Sequence, residues 1–171
     1  MKKLYFLLIF FTLIQNPVLA DLPRFIDFKY ILNNSDAGKK AQTFLKKKLD
    51  NGLKNLKSKE TKILEDEKKI IQQKKIISSE EYLKKVNELR LEVSSLQKER
   101  SNLLESVAKQ RTIARNELLK NLNPILTEYM QEKNIRMIID KKSLLTADEN
   151  LDITQEIIKR LNKKLKSIKL K

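Results

Sequence analysis

The sequence predicts a mainly α-helical protein with a small β body, in which a long antiparallel helical hairpin is inserted between N- and C-terminal strands. Apolar residues recur every seven positions in the outgoing half of the hairpin, at Leu49, Leu56, Ile63, Ile70 and Ile77. In the returning half they recur at spacings of three and four, with Arg100 in one slot, at Val86, Leu89, Val93, Leu96, Leu103 and Val107. Such spacings place side chains on one helix face, against a partner helix. The two runs predict a coiled-coil arm over residues 41–130 with its tip near residues 78–79, each helix reaching about 60 Å.

The composition is that of long helices. The chain has two Gly, three Pro, 35% charged residues and 6% aromatic residues, which argues against a β-sandwich or an α/β enzyme. It has no Cys and no His, which excludes disulfides, a thiol nucleophile, an imidazole base and the usual zinc sites. The carboxylates at Asp27, Asp140, Asp148 and Asp152 fit turns, caps and strand ends better than an acid–base pair. We therefore expect no enzyme activity, cofactor or metal.

The first twenty residues have the layout of a secretory signal peptide. A basic start, Met1-Lys2-Lys3, precedes an apolar run over residues 4–14, and small residues lead to a cleavage site after Ala20. The run is shorter than the ~20 apolar residues of a membrane-spanning helix. No Cys follows it, which excludes a lipoprotein anchor. An uncleaved anchor is the alternative, but we expect residues 1–20 to be removed and the mature chain to work outside the cytoplasm.

The N-terminal part of the predicted body covers residues 21–40. Alternation predicts a strand from Arg24 through Phe28, followed by a short helical turn. Ser35 or Asp36 is a suitable cap for the first arm helix, which is expected over residues 39–77. Gly52 lies inside that helix and is a possible bend.

The return helix and the second part of the body, residues 131–171, follow the tip. Ser78 and Glu81 fit a capping box, and Pro124 is expected to kink or re-initiate the return helix. A strand over residues 135–140 is expected to pair with residues 144–146. Asp152 or Thr154 then caps a final helix that ends in the basic tail 163–171. Because so few strands make too small a sheet to stand alone, several chains are expected to join.

The net charge of +15 favours anionic partners. Nucleic acid, acidic polypeptides and anionic lipid head groups all fit this charge. Export makes nucleic acid an improbable physiological target, although non-specific binding to phosphates in vitro is expected.

The order of these parts resembles the Skp/OmpH family of periplasmic chaperones. The resemblance lies in Phe28-Lys29-Tyr30-Ile31-Leu32 with Gly38-Lys39-Lys40-Ala41, in Asn123-Pro124-Ile125, in Ile138-Ile139-Asp140, and in Leu151-Asp152-Ile153-Thr154 with Leu161-Asn162. It implies a homotrimer with a shared β core, whose three hairpins enclose a cavity that holds unfolded outer-membrane proteins without ATP. The strands of that core would contain Phe25, Ile26, Phe28, Ile138 and Ile139. The basic extension beyond Asn162 and the strict heptads depart from the family pattern.

Client contacts are expected near the arm tip and beside the seam. The candidates are Leu64, Ile71, Lys74, Lys75, Ile76, Tyr82, Lys84 and Lys85. The alternative is that Leu64, Ile71 and Leu104 only widen the hairpin's own apolar stripe and that the lysines are solvated. Two other functions share the arm and the charge. These are a structural coiled-coil spacer of the cell envelope and a protein that binds anionic lipid or lipopolysaccharide.

Overall fold

The computed structural model describes residues 22–171, so the predicted signal peptide lies outside the described residues. The described chain is mainly helical, with a small strand region and two long helices. Two short 3₁₀ turns, Lys141–Ser143 and Glu149–Leu151, follow the second strand. The strands are β1 (Arg24–Ile26) and β2 (Ile138–Asp140), and the helices are α1 (Phe28–Asn34), α2 (Asp36–Gln73), α3 (Ser79–Glu132) and α4 (Thr154–Lys164).

The two strands pair in parallel, with Phe25 opposite Ile139. The predicted first strand is too long at its end, because the Asp27 side chain accepts the backbone N–H of Tyr30 at 2.7 Å and caps α1. Phe28 is therefore the first residue of a helix rather than part of a strand. The expected pairing of residues 144–146 with the second strand is also wrong, since they form no strand and Leu145 is fully exposed.

The long helices α2 and α3 form the hairpin, and side-chain caps set where each begins. Ser35, one of the two predicted candidates, caps α2 by accepting the N–H of Gly38. Ser78 caps α3 by accepting the N–H of Glu81, as predicted. Residues at the interface of the two helices are buried at Leu56, Leu96 and Val107. Val93 and Arg100, which the spacing assigned to that interface, are exposed instead.

The return helix α3 does not re-initiate at Pro124. It continues without a break to Glu132, and Asn134 then adopts a left-handed conformation (φ 52°), which Asn tolerates better than most residues. The Ile135 N–H bonds back to the Met130 carbonyl at 2.9 Å, which closes the end of the helix. Tertiary packing of Leu122 and Ile125 on both sides of Pro124 outweighs the local preference for a break.

The hydrophobic core lies where the hairpin meets the body. It is built from one face of the last turns of α3, from α4, and from residues of β1 and α1. Its buried members are Ile26, Ile31, Leu118, Leu122, Ile125, Tyr129, Ile153, Ile157, Ile158 and Leu161. A single chain thus buries a real core at the root of the arm, while the arm itself is only two helices thick.

Charged groups fasten α4 to the end of α3. Arg160 makes two hydrogen bonds to the Glu132 carboxylate, at 2.7 and 2.9 Å, and its guanidinium lies 4.8 Å from the centre of the Tyr129 ring. The Tyr129 hydroxyl donates to Glu156 at 2.8 Å. The hydrogen bonds from Arg160 lower the pKa of Glu132, and burial together with the bond to Glu156 raises the pKa of Tyr129.

The basic tail runs back along the root of the arm. Leu165 and Ile168 pack against the core, and Lys166 lies 3.4 Å from the Asp36 carboxylate. At the end of the chain, the Lys171 N–H donates to Gln110, and Lys48 donates to the Lys171 carbonyl, both at 2.9 Å. The tail therefore covers one side of the root of the arm.

Both glycines lie at close approaches between segments, but the neighbours differ. A Cβ on Gly38 would come within 2.0 Å of the Leu32 carbonyl oxygen, which is backbone. A Cβ on Gly52 would meet the side-chain end of Leu103 at 2.5 Å. Gly52 therefore serves close packing of the two arm helices.

We expect Gly38→Ala to destabilise the protein by about 1–3 kcal/mol, as overpacking does when backbone must move. Gly52→Ala is the matched control. Its loss is smaller because Leu103 can rotate and because Ala favours the helix by up to ~1 kcal/mol. Urea unfolding followed by circular dichroism measures both. Equal losses would show that the Leu32 carbonyl can move aside.

Glu132→Gln tests the ion pair between α3 and α4. The folded-state pKa of Glu132 lies below its ordinary value of 4.5, so the pair stabilises the fold above that pH. The stabilisation is lost as the pH falls through the lowered pKa. We expect the variant to be less stable than the parent at pH 7 and equally stable near pH 2, by thermal unfolding in low salt. A difference that persists in acid would contradict this origin.

Candidate functional site: the exposed apolar face of the helical arm

The register of the hairpin follows from contacts between its two helices. Lys59 binds both oxygens of the Glu99 carboxylate, at 2.6 and 2.7 Å. Nearer the tip, Lys85 donates to the Gln73 side chain at 3.2 Å. These contacts align the two helices so that Leu64 lies at the same height along the hairpin as Val93, and Leu53 at the same height as Leu104, to within one residue. Two residues at the same height are called level below.

The two sides of the hairpin differ in chemistry. Both helices are right-handed and run in opposite directions, so residues that precede an interface position lie on one side and those that follow it lie on the other. The preceding side carries polar links between the helices, namely the Lys59–Glu99 pair and the bond from Lys48 to Ser106 at 2.9 Å. The C-terminal tail lies on this side too, through Lys48 and Gln110.

The other side carries apolar residues that stay accessible. Leu64 and Ile71 each follow an interface residue and are 49% and 60% exposed. Three level pairs share this side and are called the apolar face below: Leu53 with Leu104, Leu64 with Val93, and Ile71 with Val86. Of the six, only Val86 is partly covered; the other five are exposed. The predicted candidates Leu64 and Ile71 thus belong to a longer surface, whose signal in the sequence is an apolar residue directly after an interface position.

The structure places the remaining tip candidates in different settings. Ile76 is 83% exposed, and Lys75 and Lys84 are exposed as well. The Lys74 ammonium lies 5.7 Å from the centre of the half-buried Tyr82 ring. Lys85 is half-buried and lies between Gln73 and the Glu81 carboxylate, 3.8 Å away. Lys85 is therefore the tip lysine most engaged in the fold.

A groove continues the apolar face to the root of the arm. This arm-root groove has a volume of about 500 Å³. Its floor is apolar, and the exposed cations Lys46, Arg111 and Arg115 line it. Lys46 and Arg111 are level with each other across the hairpin, two turns below Leu53 and Leu104. No pattern in the sequence connects these three residues, because only the register of the two helices brings them together.

The strand residues proposed for oligomerisation are not equally accessible. Phe25 and Ile26 are buried within the chain, and Phe28 is half-buried at the start of α1. Strand β1 has neighbours on both sides, since the Ile153 N–H also bonds to the Phe25 carbonyl at 3.0 Å. Strand β2, with half-buried Ile138 and Ile139, is paired on one side only within residues 22–171.

Residues 22–171 lack the features of two other classes of site. No group of three or more carboxylate, His or Cys side chains is placed to hold a metal ion. None of the described helices combines the length and the apolar character that crossing a bilayer requires.

Comparisons with known proteins place this arrangement in a family. The model of the OmpH-like outer membrane protein family matches residues 24–161. The chain belongs to the OmpH-like family. No curated protein matches it in sequence. Its fold is similar to that of an OmpH-like protein from Caulobacter crescentus CB15, described as a candidate outer membrane chaperone, with a TM-score of 0.78 and 17% identity over 87% of this chain and 89% of the other.

The family match ends at Leu161, so the whole basic tail, residues 163–171, lies beyond it. The long helices and the small strand region are those of the OmpH-like fold. The contacts of the tail with Asp36, Lys48 and Gln110 are therefore made by residues outside the matched part of this OmpH-like protein.

The exposed position of the apolar face predicts how stability responds to substitution. Leu64→Ser with Ile71→Ser should change the free energy of unfolding by no more than about 0.5 kcal/mol per site, as at ordinary surface positions. Leu56→Ala, at a buried interface position, should cost about 2–5 kcal/mol. Urea unfolding of the two variants measures this contrast. A large loss for the serine variant would assign Leu64 and Ile71 to a covered interface.

Proposed function

We propose that this OmpH-like protein is an ATP-independent holdase chaperone of the periplasm. It binds unfolded outer-membrane proteins between helical arms and prevents their aggregation during outer-membrane assembly. The observation that carries the proposal is the apolar face, a line of exposed Leu, Ile and Val side chains on an otherwise charged arm. An unfolded outer-membrane strand alternates apolar and polar side chains, so it can offer apolar side chains to such a face.

The proposed mechanism needs many weak contacts rather than one tight pocket. Each level of the apolar face offers two side chains, and several arms around one client add their contacts through multivalency. The excess positive charge attracts acidic clients over long range and speeds capture. Release follows when the client folds elsewhere, without nucleotide. Lys74, Lys75, Lys84, Lys85, Ile76 and Tyr82 extend the proposed contact surface to the tip.

Holding a client requires several arms, and we propose that three chains assemble through the body. Strand β2 is the edge that can accept a further strand, whereas β1 is already flanked on both sides. An open groove of about 540 Å³ lies beside β2, lined by Leu122, Leu126, Met130 and Ile138 among others. In this proposal Ile138 and Ile139 contact the neighbouring subunit, while Phe25, Ile26 and Phe28 support the strand from within.

The proposal is tested by diluting a urea-unfolded outer-membrane barrel protein into buffer and measuring light scattering with mature protein added, without nucleotide. We expect suppression that saturates near one trimer per client. Replacing four members of the apolar face, Leu53, Leu64, Ile71 and Leu104, by Ser should weaken suppression strongly. Leu91→Ser with Ile113→Ser is the matched control, because both residues are exposed and neither directly follows an interface position.

No suppression by the parent protein, shown to be helical and oligomeric, would support the envelope spacer instead. If the Leu91/Ile113 control loses suppression as fully as the fourfold variant does, any exposed apolar residue serves, and the apolar face loses its role. Replacing residues 53–104 by a short linker gives the remaining check, since a body that keeps its core residue Leu118 but lacks the arm should be unable to hold a client.

A further inference from the structure

The arm-root groove combines an apolar floor with unpaired positive charge. Leu32, Leu45, Leu49, Val107 and Leu118 are among the residues that line it. At its rim, Lys46, Arg111 and Arg115 have no carboxylate within 4 Å among residues 22–171.

On the opposite side of the arm, two cations link the helices to each other or to the tail. There Lys59 pairs with Glu99, and Lys48 donates to Ser106 and to the end of the tail. Arg115 does have a neighbour, the Phe28 ring, whose centre is 5.8 Å from the guanidinium, but a ring face leaves the charge uncompensated. Apolar surface beside uncompensated cations suits an anionic, partly apolar ligand.

The groove and the apolar face form one track along the arm. From Leu45 to Ile71 the helix rises by roughly 39 Å at 1.5 Å per residue. An extended chain advances by ~3.3 Å per residue, so about 12 residues cover the same distance. One strand of a membrane barrel has about 9–11 residues.

We propose that the arm-root groove binds the acidic end of an extended, apolar client segment. Its carboxylates lie against Lys46, Arg111 and Arg115, and its apolar side chains continue along the apolar face toward the tip. This inference rests on the proposed holdase function and specifies where along the arm the client segment binds and in which direction it runs. A second copy of this chain is a poor occupant, because its own net charge is +15. A lipid head group matches the cations, but its tails do not match a track that continues for the length of a strand.

The experiment uses two fluorescent ten-residue peptides with the mature full-length protein, and measures anisotropy in low salt. Both peptides alternate Val and Thr; one ends in two Asp and the other in two Asn. We expect the acidic peptide to bind about tenfold more tightly than the neutral one. Lys46→Glu with Arg111→Glu should abolish that difference, as should the milder pair Lys46→Gln with Arg111→Gln.

The matched control reverses two exposed cations elsewhere on the arm, Lys62→Glu with Lys109→Glu, and should keep the difference. Equal binding of both peptides by the parent would overturn the inference, because the groove would then not distinguish acidic from neutral segments. Equal loss of the difference in the control would overturn it too, because only general charge attraction would remain. Two further outcomes would also overturn it. One is that the protein binds phosphatidylglycerol vesicles through Lys46 and Arg111, while its binding of the peptides does not depend on these two residues. The other is a changed sedimentation mass of the groove variants, which would make the groove a subunit interface.

Light scattering on the same proteins separates this inference from the proposed function. If the parent suppresses aggregation while the two peptides bind alike, the holdase function stands and the groove has no part in choosing the client segment. If the parent discriminates between the peptides yet suppresses nothing, the groove binds acidic segments and the holdase function is wrong.

Discussion

The antiparallel register of α2 and α3 is the constraint on which the rest of the molecule depends. Two packed helices bury only the strip of each that faces the other, and beyond the root of the arm no other described element covers their remaining surface. Once Leu56, Leu96 and Val107 are buried, the residues that follow each interface position are left on one open side. The apolar face, the arm-root groove and the polar links of the opposite side are all consequences of that register.

The ion pairs of the arm contribute more to the chemical difference between its two sides than to its stability. An exposed pair such as Lys59–Glu99 contributes about 1 kcal/mol or less. Its position matters more, because the polar links between the two helices lie on the side that precedes the interface, and the tail adds Lys171 there. On the other side, Lys46, Arg111 and Arg115 at the root of the arm have no carboxylate partner within residues 22–171, which is why we propose that this part of a chain with a net charge of +15 selects anions.

The sequence predicted the hairpin because its signal is long and local. Repeats of seven over many turns, together with the caps at Ser35 and Ser78, identify helices without tertiary information. The strands were harder, since each is three residues long and the partners are more than one hundred residues apart. Asp27 shows how one cap overrides a pattern: Phe28 continues the alternation of a strand but begins a helix. Pro124 shows the converse, since core packing carries α3 through a residue that locally favours a break.

The candidate site was predictable in part for the same reason. Leu64 and Ile71 could be read from their places next to interface residues. Which residue of α3 lies beside each required the register, and this depends on contacts such as Lys59–Glu99 that no periodicity specifies. The groove formed by Lys46, Arg111 and Arg115 is a property of two helices at one level, so neither segment alone carries a signal for it.

A holdase must bind an unfolded chain firmly enough to compete with aggregation and weakly enough to let it go. A deep pocket would hold one sequence tightly, whereas exposed side chains in level pairs give contacts that are individually small and additive across arms. The charged groove sets the direction in which the client segment lies. With its acidic end at the root of the arm, the segment has its apolar part along the arm and its other end at the tip. Binding would then leave the client extended, and an extended segment is already in the conformation it takes up as a strand of a barrel.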